Sequence, residues 1–362
     1  MHIGKFGNSF FKKKFYFWSN KTVIITGCTG FKGSWLSLVL KRYGATVIGV
    51  SLKPKNKKDL FVQANLKKKI LYYDCDINNF QKVNKIFQKV KPDIIFHFAA
   101  QSLVINSYKK KQETYKTNLI GSVNVIESCN NLNKKNSLLI TTTDKVYKNN
   151  NKRKTFIETD KLGGSDPYST SKAALEIICD YYLDIAKKSK FFSLCVARSG
   201  NVIGGGDWSE NRLFPDIFRS FYNKKVLIVR NPFSTRPWQH VLETLFGYLN
   251  LAEYNFKNKK YSGVYNFGPK KNSAISVLSV LKIVKKHMLS LKFSIKKNNL
   301  MYESKFLQLN SNKAIKHLNF KQVWTLEETI CKTINWYYKY FKKQDSESLC
   351  LDDIKSLEKI IE

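Results

Sequence analysis

The sequence predicts an α/β protein built on a doubly wound parallel sheet, with a smaller C-terminal α/β substrate-binding lobe. Short apolar runs rich in β-branched residues recur roughly every 20–30 residues, as expected of buried parallel strands. Amphipathic patterns with helical spacing separate these runs. A glycine-rich turn follows the first run, Val23–Ile25, and leads into the first helical pattern. Strand, glycine turn and helix in this order are typical of the first unit of a Rossmann sheet.

Composition narrows the class of protein. The chain has 362 residues, of which 43% are hydrophobic, so it can bury a large core. Its formal net charge is +36. Lysines are spread along the whole chain and no nucleic-acid-binding motif accompanies them, so we predict no specific nucleic-acid partner. A positive field of this kind favours a phosphorylated substrate.

The cysteines and the hydropathy pattern indicate in which cellular compartment the protein works. Seven cysteines are scattered without a C-x-x-C pair, which predicts free thiols in the reducing cytoplasm and no metal site. The basic, aromatic N-terminal segment lacks the apolar core of a secretory signal. No apolar run is long enough to cross a bilayer, so we expect no membrane insertion.

The glycine turn is the first candidate site. Gly27, Gly30 and Gly33 follow at a spacing of three and open a helix. Glycine permits a positive φ and close approach of a phosphate, while a helix N-terminus attracts an anion. We therefore predict that a dinucleotide binds here, with Thr29, Phe31 and Lys32 as further contacts. The alternative is a tight strand-to-helix turn without a ligand.

The ends of the second and third strands should meet the adenosine half of such a ligand. The second strand, Thr46–Ser51, lacks the acidic residue that usually binds the ribose hydroxyls of NAD. NAD and NADP therefore both remain possible, and Lys53 could attract a 2′-phosphate. Asp76 and Ile77 follow the third strand, where a carboxylate can accept from the adenine amine. Asp76 could instead cap the following helix.

The fourth and fifth strands end in small or polar residues. Ile94–Phe98 runs into Ala99-Ala100-Gln101, and small residues there allow a flat ring to lie close to the backbone. Ser137–Thr141 runs into Thr142-Thr143-Asp144-Lys145. Ligands of doubly wound sheets bind at these carboxyl ends, so both segments are candidate site walls.

A tyrosine and a lysine form the candidate acid/base unit. Tyr168 and Lys172 lie four residues apart at the start of a helix and share one face. A nearby ammonium should lower the pKa of the phenol and allow it to exchange a proton with a substrate hydroxyl. Thr143 could hydrogen-bond the same oxygen. The alternative is an accidental pair on a surface helix.

The second half of the chain predicts a lobe that contacts substrate. A glycine-rich segment, 198–208, breaks the strand-helix alternation. Arg236 and His240 could bind a diphosphate, or belong to a structural turn. We assign 17–198 to the dinucleotide-binding Rossmann domain, with 237–268 returning to it. The other predicted units are a lobe from 199–236 and 269–341, an N-terminal extension, 1–16, and a peripheral charged tail, 342–362.

Several motifs occur in the order found in one family: GCTGFKGSW (27–35), HFAAQ (97–101), TTDKVY (142–147), DPYSTSK (166–172), RSGNVIGGGDW (198–208) and RPWQHVLE (236–243). Together they resemble the extended short-chain dehydrogenases/reductases, and most closely those that remove water from nucleotide sugars, with CDP-glucose as the expected substrate. The resemblance implies NAD as cofactor, bound by the glycine turn, Asp76, Ile77, Phe98, Ala99, Ala100, Asn118, Tyr168 and Lys172. It implies that Gln101, Asn201, Arg212, Arg236 and His240 contact the substrate.

The same resemblance implies the catalytic set. Tyr168, with Lys172 and Thr143, would deprotonate the sugar 4-hydroxyl, and Asp144 would protonate the departing 6-hydroxyl. Relatives carry Glu as the C5 base where this chain has Lys145, so Lys145 could be the base or could stabilise the enolate as a cation. The other functions considered are a 4-epimerase and a non-catalytic nucleotide-binding protein. A homodimer through 114–129 and 168–185 is the expected assembly.

Overall fold

Parallel strands form the central sheet of the computed structural model, which describes residues 15–150, 153–269, 274–296, 304 and 306–361. Within these residues the sheet has seven strands: β1 Thr22–Thr26, β2 Thr46–Ser51, β3 Leu71–Asp74, β4 Ile94–His97, β5 Asn136–Thr141, β6 Phe192–Ser199 and β11 Gly263–Phe267. All are parallel, and their order across the sheet is β11-β6-β5-β4-β1-β2-β3.

The strand order reverses beside β1. Consecutive strands run from β1 outward to β3 on one side, and β4 then pairs with the other edge of β1. Helices crossing on opposite faces diverge at this point and leave a crevice at the carboxyl ends of the strands. The glycine turn follows β1 and therefore opens into that crevice.

Thirteen α-helices pack on the sheet or build the lobe within the described residues. They are α1 Phe31–Arg42, α2 Leu60–Gln63, α3 Phe80–Val90, α4 Val104–Lys109, α5 Lys111–Tyr115, α6 Gly121–Asn130, α7 Pro167–Lys188, α8 Leu213–Tyr222, α9 Val241–Lys257, α10 Val277–His287, α11 Asn312–Leu318, α12 Leu326–Phe341 and α13 Ser346–Ile361. A π-helix, Lys116–Ile120, connects α5 to α6. Among the described helices, none combines the length and apolar character needed to span a bilayer.

The core lies on both faces of the sheet. Val23 and Ile25 of β1 point to the face covered by α1, α9 and α12, while Ile24 points to the face covered by α3, α6 and α7. This alternation follows from the two-residue period of a strand. All three side chains are fully buried, which explains why the strand has no polar face.

The lobe is made of short strand pairs. β8, Leu227–Val229, pairs in parallel with β13, Phe293–Ile295, outside the central sheet. β9, Thr235–Pro237, pairs antiparallel with β12, Ala274–Ser276. β7, Val202–Ile203, pairs with β10, Gln239–His240, and connects the lobe to the start of α9.

The prediction of a peripheral C-terminal tail is wrong. Residues 346–361 form α13, which contacts α1, α2 and α12. Leu349, Ile354 and Leu357 are buried in the main core. The side chain of Glu358 is fully buried and accepts two hydrogen bonds from Arg42 of α1, at 2.8 and 2.9 Å. The tail is therefore an integral layer behind the glycine-turn helix.

Candidate active site

A cleft of about 1150 Å³ lies at the carboxyl ends of the strands, between the sheet and the lobe. The sheet side contributes the glycine turn and the ends of β2 to β6. The lobe side contributes the segments 206–216 and 227–231. A volume of this order accommodates a dinucleotide together with a second nucleotide-sized ligand, since drug-sized sites typically measure about 300–1,000 Å³.

The glycine turn has the form of a diphosphate cradle. Gly27 has φ +72°, and a Cβ there would lie 2.7 Å from the amide nitrogen of Ala99. A Cβ on Gly33 would lie 2.3 Å from the carbonyl oxygen of Gly27. Helix α1 then starts at Phe31 with no acidic side chain in its first turn. The unpaired N–H groups of that turn face the cleft, so the residues present fit an anionic dinucleotide.

The adenosine end of the cleft is formed by the ends of β2 and β3. The hydroxyls of Thr29 and Ser51 are 2.7 Å apart, and Thr29 also donates to the carbonyl oxygen of Leu52 at 3.1 Å. Asp76 and Ile77 line the same end. The Asp76 carboxylate accepts hydrogen bonds from the backbone and side-chain nitrogens of Asn78 at 2.9 and 3.0 Å. These bonds form a turn before the helix. The helix cap itself is Asn79, whose side chain accepts from Lys82 N at 2.9 Å, so the alternative of Asp76 as the cap is wrong. The Asp76 carboxylate lines the cleft.

Asp144 is the most buried carboxylate of the cleft, with 1% exposure. It begins a short 3₁₀ turn, Asp144–Val146, directly after β5. Its Oδ1 accepts a hydrogen bond from Thr143 at 3.1 Å, and Lys145 Nζ lies 3.5 Å from the same oxygen. Its Oδ2 is buried and has no hydrogen-bond partner among the described residues. That oxygen is therefore available to a ligand.

The acid/base unit is held by the start of α7. Asp166 caps this helix in a capping box with Ser169, and Pro167 occupies the first turn. Lys172 Nζ donates to the carbonyl oxygen of Thr141 at 3.1 Å, and burial lowers the pKa of Lys172 to about 8. Both Tyr168 and Lys172 line the cleft.

The expected lowering of the phenol pKa is not what the structure gives. Burial raises the pKa of Tyr168 to about 12, although its hydrogen bond with Thr143 and the charge of Arg212 oppose that rise. Desolvation disfavours the phenolate more strongly than these neighbours favour it. Tyr168 is accordingly a proton donor in the unliganded chain and needs further positive charge to become a base.

The Lys32 side chain extends from the glycine turn to Ser199 at the end of β6. Its amino group donates to Ser199 Oγ at 2.8 Å and lies 5.5 Å above the ring of Tyr248. Burial, together with the positive charge of Arg212, lowers the pKa of Lys32 to about 7. The amino group is therefore close to its neutral form at physiological pH.

A buried polar network aligns the strand ends. The carboxylate of Glu176 on α7 accepts from Arg198 Nε at 2.8 Å and from the hydroxyl of Thr142 at 2.5 Å. The guanidinium of Arg198 also donates to Tyr147 at 2.7 Å, and Tyr147 in turn donates to Asn266. These bonds fix α7 to the ends of β5, β6 and β11. Tyr168 and Asp144 lie on the elements held in this way.

Three of the predicted substrate contacts line the cleft: Asn201, Arg212 and Arg236. Arg212 Nη1 lies 3.2 Å from Asp207, and its side chain is 36% exposed, so it can turn toward an anion. Arg236 is only 2% exposed and donates to the carbonyl oxygens of Thr235 and Ser304 at 2.8 and 2.7 Å.

Comparison with known proteins identifies the chain's family. The model of the family described as NAD dependent epimerase/dehydratase matches residues 23–268. The chain belongs to this family. The CDP-glucose 4,6-dehydratase of Salmonella typhimurium is 37% identical over 341 residues, which cover 91% of this chain and 94% of that protein. The UDP-glucose 4-epimerase of Mycoplasma genitalium is 25% identical and covers 88% and 97% of the two chains.

Solved structures of the family share the fold. The UDP-glucose 4-epimerase of Thermus thermophilus, in complex with NAD, superimposes with a TM-score of 0.75. The two chains are 19% identical, and the match covers 88% of this chain and 99% of that one. As in other members of this family, the cofactor is NAD, and the glycine cradle has the space and polarity for it.

Three predicted ligand contacts of this epimerase/dehydratase lie elsewhere. Gln101 and Asn118 do not line the cleft. The Gln101 side chain bonds Leu103 and Thr114, and Asn118 bonds the backbone of Gln101 and the hydroxyl of Ser171. Both residues therefore hold the loop after β4 against α7. Their amide groups bind neighbouring backbone and side chains, which the sequence pattern does not distinguish from ligand contacts.

His240 also has a structural role, so the diphosphate contact predicted for it is wrong. It is fully buried, and its Nδ1 accepts from the backbone N–H of Leu242 at the start of α9. Its ring packs edge-on against Trp324, with centroids 4.9 Å apart. Burial lowers its pKa to about 3. A neutral, enclosed imidazole cannot neutralise a diphosphate.

Ser199 and Gly200 line the cleft and belong to the glycine-rich segment 198–208 that was predicted to contact substrate. Sequence reasoning missed the apolar wall Leu227–Val229, which also lines the cleft. A Cβ on Gly200 would lie 2.4 Å from Pro237 and 3.2 Å from Asp144 Oδ2. Because this residue is glycine, the chain can pass beside the Asp144 carboxylate directly after β6.

Proposed function

We propose that the chain is a CDP-glucose 4,6-dehydratase, converting CDP-D-glucose to CDP-4-dehydro-6-deoxy-D-glucose and water. The observation that carries the proposal is the position of Asp144 and Lys145, 3.5 Å apart, in the same cleft as Tyr168. Oxidation at C4 needs only the tyrosine and the cofactor. A carboxylate and an amine beside them supply the proton donor and acceptor that loss of water requires.

The first step is removal of the 4-hydroxyl proton by Tyr168. The chemistry that NAD supplies when bound is acceptance of a hydride from C4 and its later return to C6. Tyr168 must first be a phenolate, and its hydrogen bond with Thr143 and the positive charge of Arg212 favour that form. The Lys172 amine, fixed on Thr141, holds the same end of the site.

The second step is elimination across C5 and C6. The 4-ketone acidifies H5, and the 6-hydroxyl leaves as water after protonation. We infer that Asp144 and Lys145 act as one unit holding a single mobile proton. Transfer of that proton from the ammonium to Asp144 gives a carboxylic acid facing C6 and a neutral amine facing C5. The acid protonates the leaving hydroxyl, the amine takes H5, and the ion pair is restored. When the hydride has returned to C6, the Lys145 ammonium gives its proton back to C5.

Two other functions predict different behaviour. A 4-epimerase would use the same cofactor and tyrosine, and family members with that name are 25% identical to the chain. Epimerisation needs no acid and base at C5 and C6, which favours elimination here. A nucleotide-binding protein without catalysis needs neither Tyr168 nor Lys172, yet both line the cleft.

The test is an assay with purified protein and a panel of CDP-, dTDP-, UDP- and GDP-glucose. A dehydratase forms a 4-keto product that absorbs in alkali, and we expect it from CDP-glucose. The Tyr168→Phe variant should form none while retaining cofactor binding. Interconversion of glucose and galactose epimers without a keto product would instead identify an epimerase. No reaction with any of the four would refute both.

The assembly and cellular setting are further proposals. Ile177 and Tyr181 lie on one side of α7 and are 63% and 65% exposed, which suits a helix pair shared between two copies of the chain. We therefore infer a homodimer, which light scattering of the wild type and of Tyr181→Glu can test.

The cellular setting is a separate proposal. All seven cysteines are free thiols, which suits the cytoplasm. The product suits deoxysugar synthesis for a surface lipopolysaccharide.

A further inference from the structure

The adenosine end of the cleft lacks the group that normally selects NAD. In Rossmann folds an acidic residue at the end of the second strand accepts from the ribose hydroxyls, and its charge repels a 2′-phosphate. Here β2 ends at Ser51, which is 6% exposed and hydrogen-bonded to Thr29. Leu52 and Lys53 follow it along the cleft wall. No carboxylate of this segment opposes a phosphate.

Cations occupy that wall instead. Lys53 and Lys55 both line the cleft. The Lys53 side chain is 80% exposed, and its amino group lies 3.6 Å from Asp74 Oδ2, itself on a side chain that is 45% exposed. An ion pair this exposed is worth about 1 kcal/mol at most, so a phosphate can replace the aspartate as its partner.

The acidic groups nearby are directed to other partners. Asp59 accepts from the backbone N–H of Asn56 at 3.0 Å, and burial raises its pKa. Asp76 accepts from Asn78. Asp74 does not line the cleft. Lys53 and Lys55 therefore remain as the charged side chains of this wall, and their hydrogen bonds to a phosphate ester are charge-assisted.

We propose that the segment 51–55 is a 2′-phosphate subsite, so that the chain binds NADP as well as NAD. The ribose of the adenosine half lies against Ser51 and Thr29, and Lys53 faces its 2′-oxygen. Lys55 adds long-range attraction from the rim of the cleft. The inference concerns the cofactor cleft alone and stands whichever sugar nucleotide the enzyme converts.

Calorimetric titration of the whole chain with NAD⁺ and with NADP⁺ tests the subsite directly, without turnover. We expect NADP⁺ to bind at least as tightly as NAD⁺. Among fragments, adenosine 2′,5′-bisphosphate should bind more tightly than AMP and than adenosine 3′,5′-bisphosphate. Weaker binding of NADP⁺ than of NAD⁺, or equal binding of the two bisphosphates, would overturn the proposal.

Two variants locate the effect. Lys53→Asp replaces an attraction with a repulsion, so NADP⁺ binding should weaken on the order of tenfold while AMP binding is unchanged. Asp74→Asn removes the competing partner and should tighten NADP⁺ binding. Lys57→Asp is the matched control, because Lys57 is exposed on the same loop and does not line the cleft. An equal loss in Lys53→Asp and Lys57→Asp would reduce the effect to net charge and refute the subsite.

Discussion

The environment of Lys32 predicts a stability change with pH. Its pKa is lowered from 10.5 to about 7, chiefly by burial. At 1.36 kcal/mol per pH unit, this difference corresponds to at most about 5 kcal/mol, and we expect about 2–5 kcal/mol because the side chain keeps some solvent contact. Between pH 7 and 10.5 the unfolded chain binds a proton that the folded chain does not. The free energy of unfolding therefore gains a contribution that rises with pH across this window.

The variant Lys32→Met removes that titration while keeping the bulk of the side chain. We expect Lys32→Met to be more stable than wild type at pH 6–7, by roughly 2–5 kcal/mol, and the difference to vanish near pH 10.5. Guanidinium unfolding followed by tryptophan fluorescence, at several pH values, measures it. Lys41→Met is the control, since Lys41 lies on the same helix and is exposed. Parallel curves for wild type and Lys32→Met would show that the amino group is solvated, contrary to the argument.

Three further predictions follow from the site. Asp144→Asn removes the proton donor for the 6-hydroxyl, so the reaction should stop after oxidation with reduced dinucleotide absorbing in the near ultraviolet; unchanged turnover would exclude Asp144. Gly33→Ala places a Cβ 2.3 Å from Gly27 O, so dinucleotide affinity in a binding titration should fall at least about tenfold, with about 1–3 kcal/mol lost in unfolding experiments. Arg198→Met leaves the buried Glu176 carboxylate without its counter-charge and should cost about 3–5 kcal/mol in denaturant unfolding. Adding Glu176→Leu should recover much of that loss, and a double variant no more stable than the single one would argue against the ion pair.

The central sheet was predictable because its signals are local. Apolar runs such as Val23–Ile25 have no polar face, as expected of strands that are buried on both sides. The glycine turn is equally local, because a positive φ at Gly27 and the contact at Gly33 each require glycine. Element boundaries are less clear in the sequence: β3 begins at Leu71, although the apolar run starts at Ile70.

The errors concern side chains whose role depends on tertiary contacts. His240 was read as a ligand because it follows an arginine motif, but the packing of Trp324 encloses it. The phenol of Tyr168 responds to burial, which sequence spacing does not reveal. The tail could have been predicted to form a packed helix, because the spacing of Leu349, Ile354 and Leu357 places them on one helix face. Its high charge content concealed that pattern.

Helix α13 has a consequence for synthesis of the chain. Arg42 and Glu358, which bond each other, are 316 residues apart. A ribosome therefore finishes the cofactor-binding strands long before the layer that covers α1 has emerged. During that interval the apolar face of α1 that α13 later covers stays open to water or to a chaperone. A premature stop after Phe341 would release a chain that has every residue proposed for catalysis but an uncovered core, so its fate should be aggregation or proteolysis.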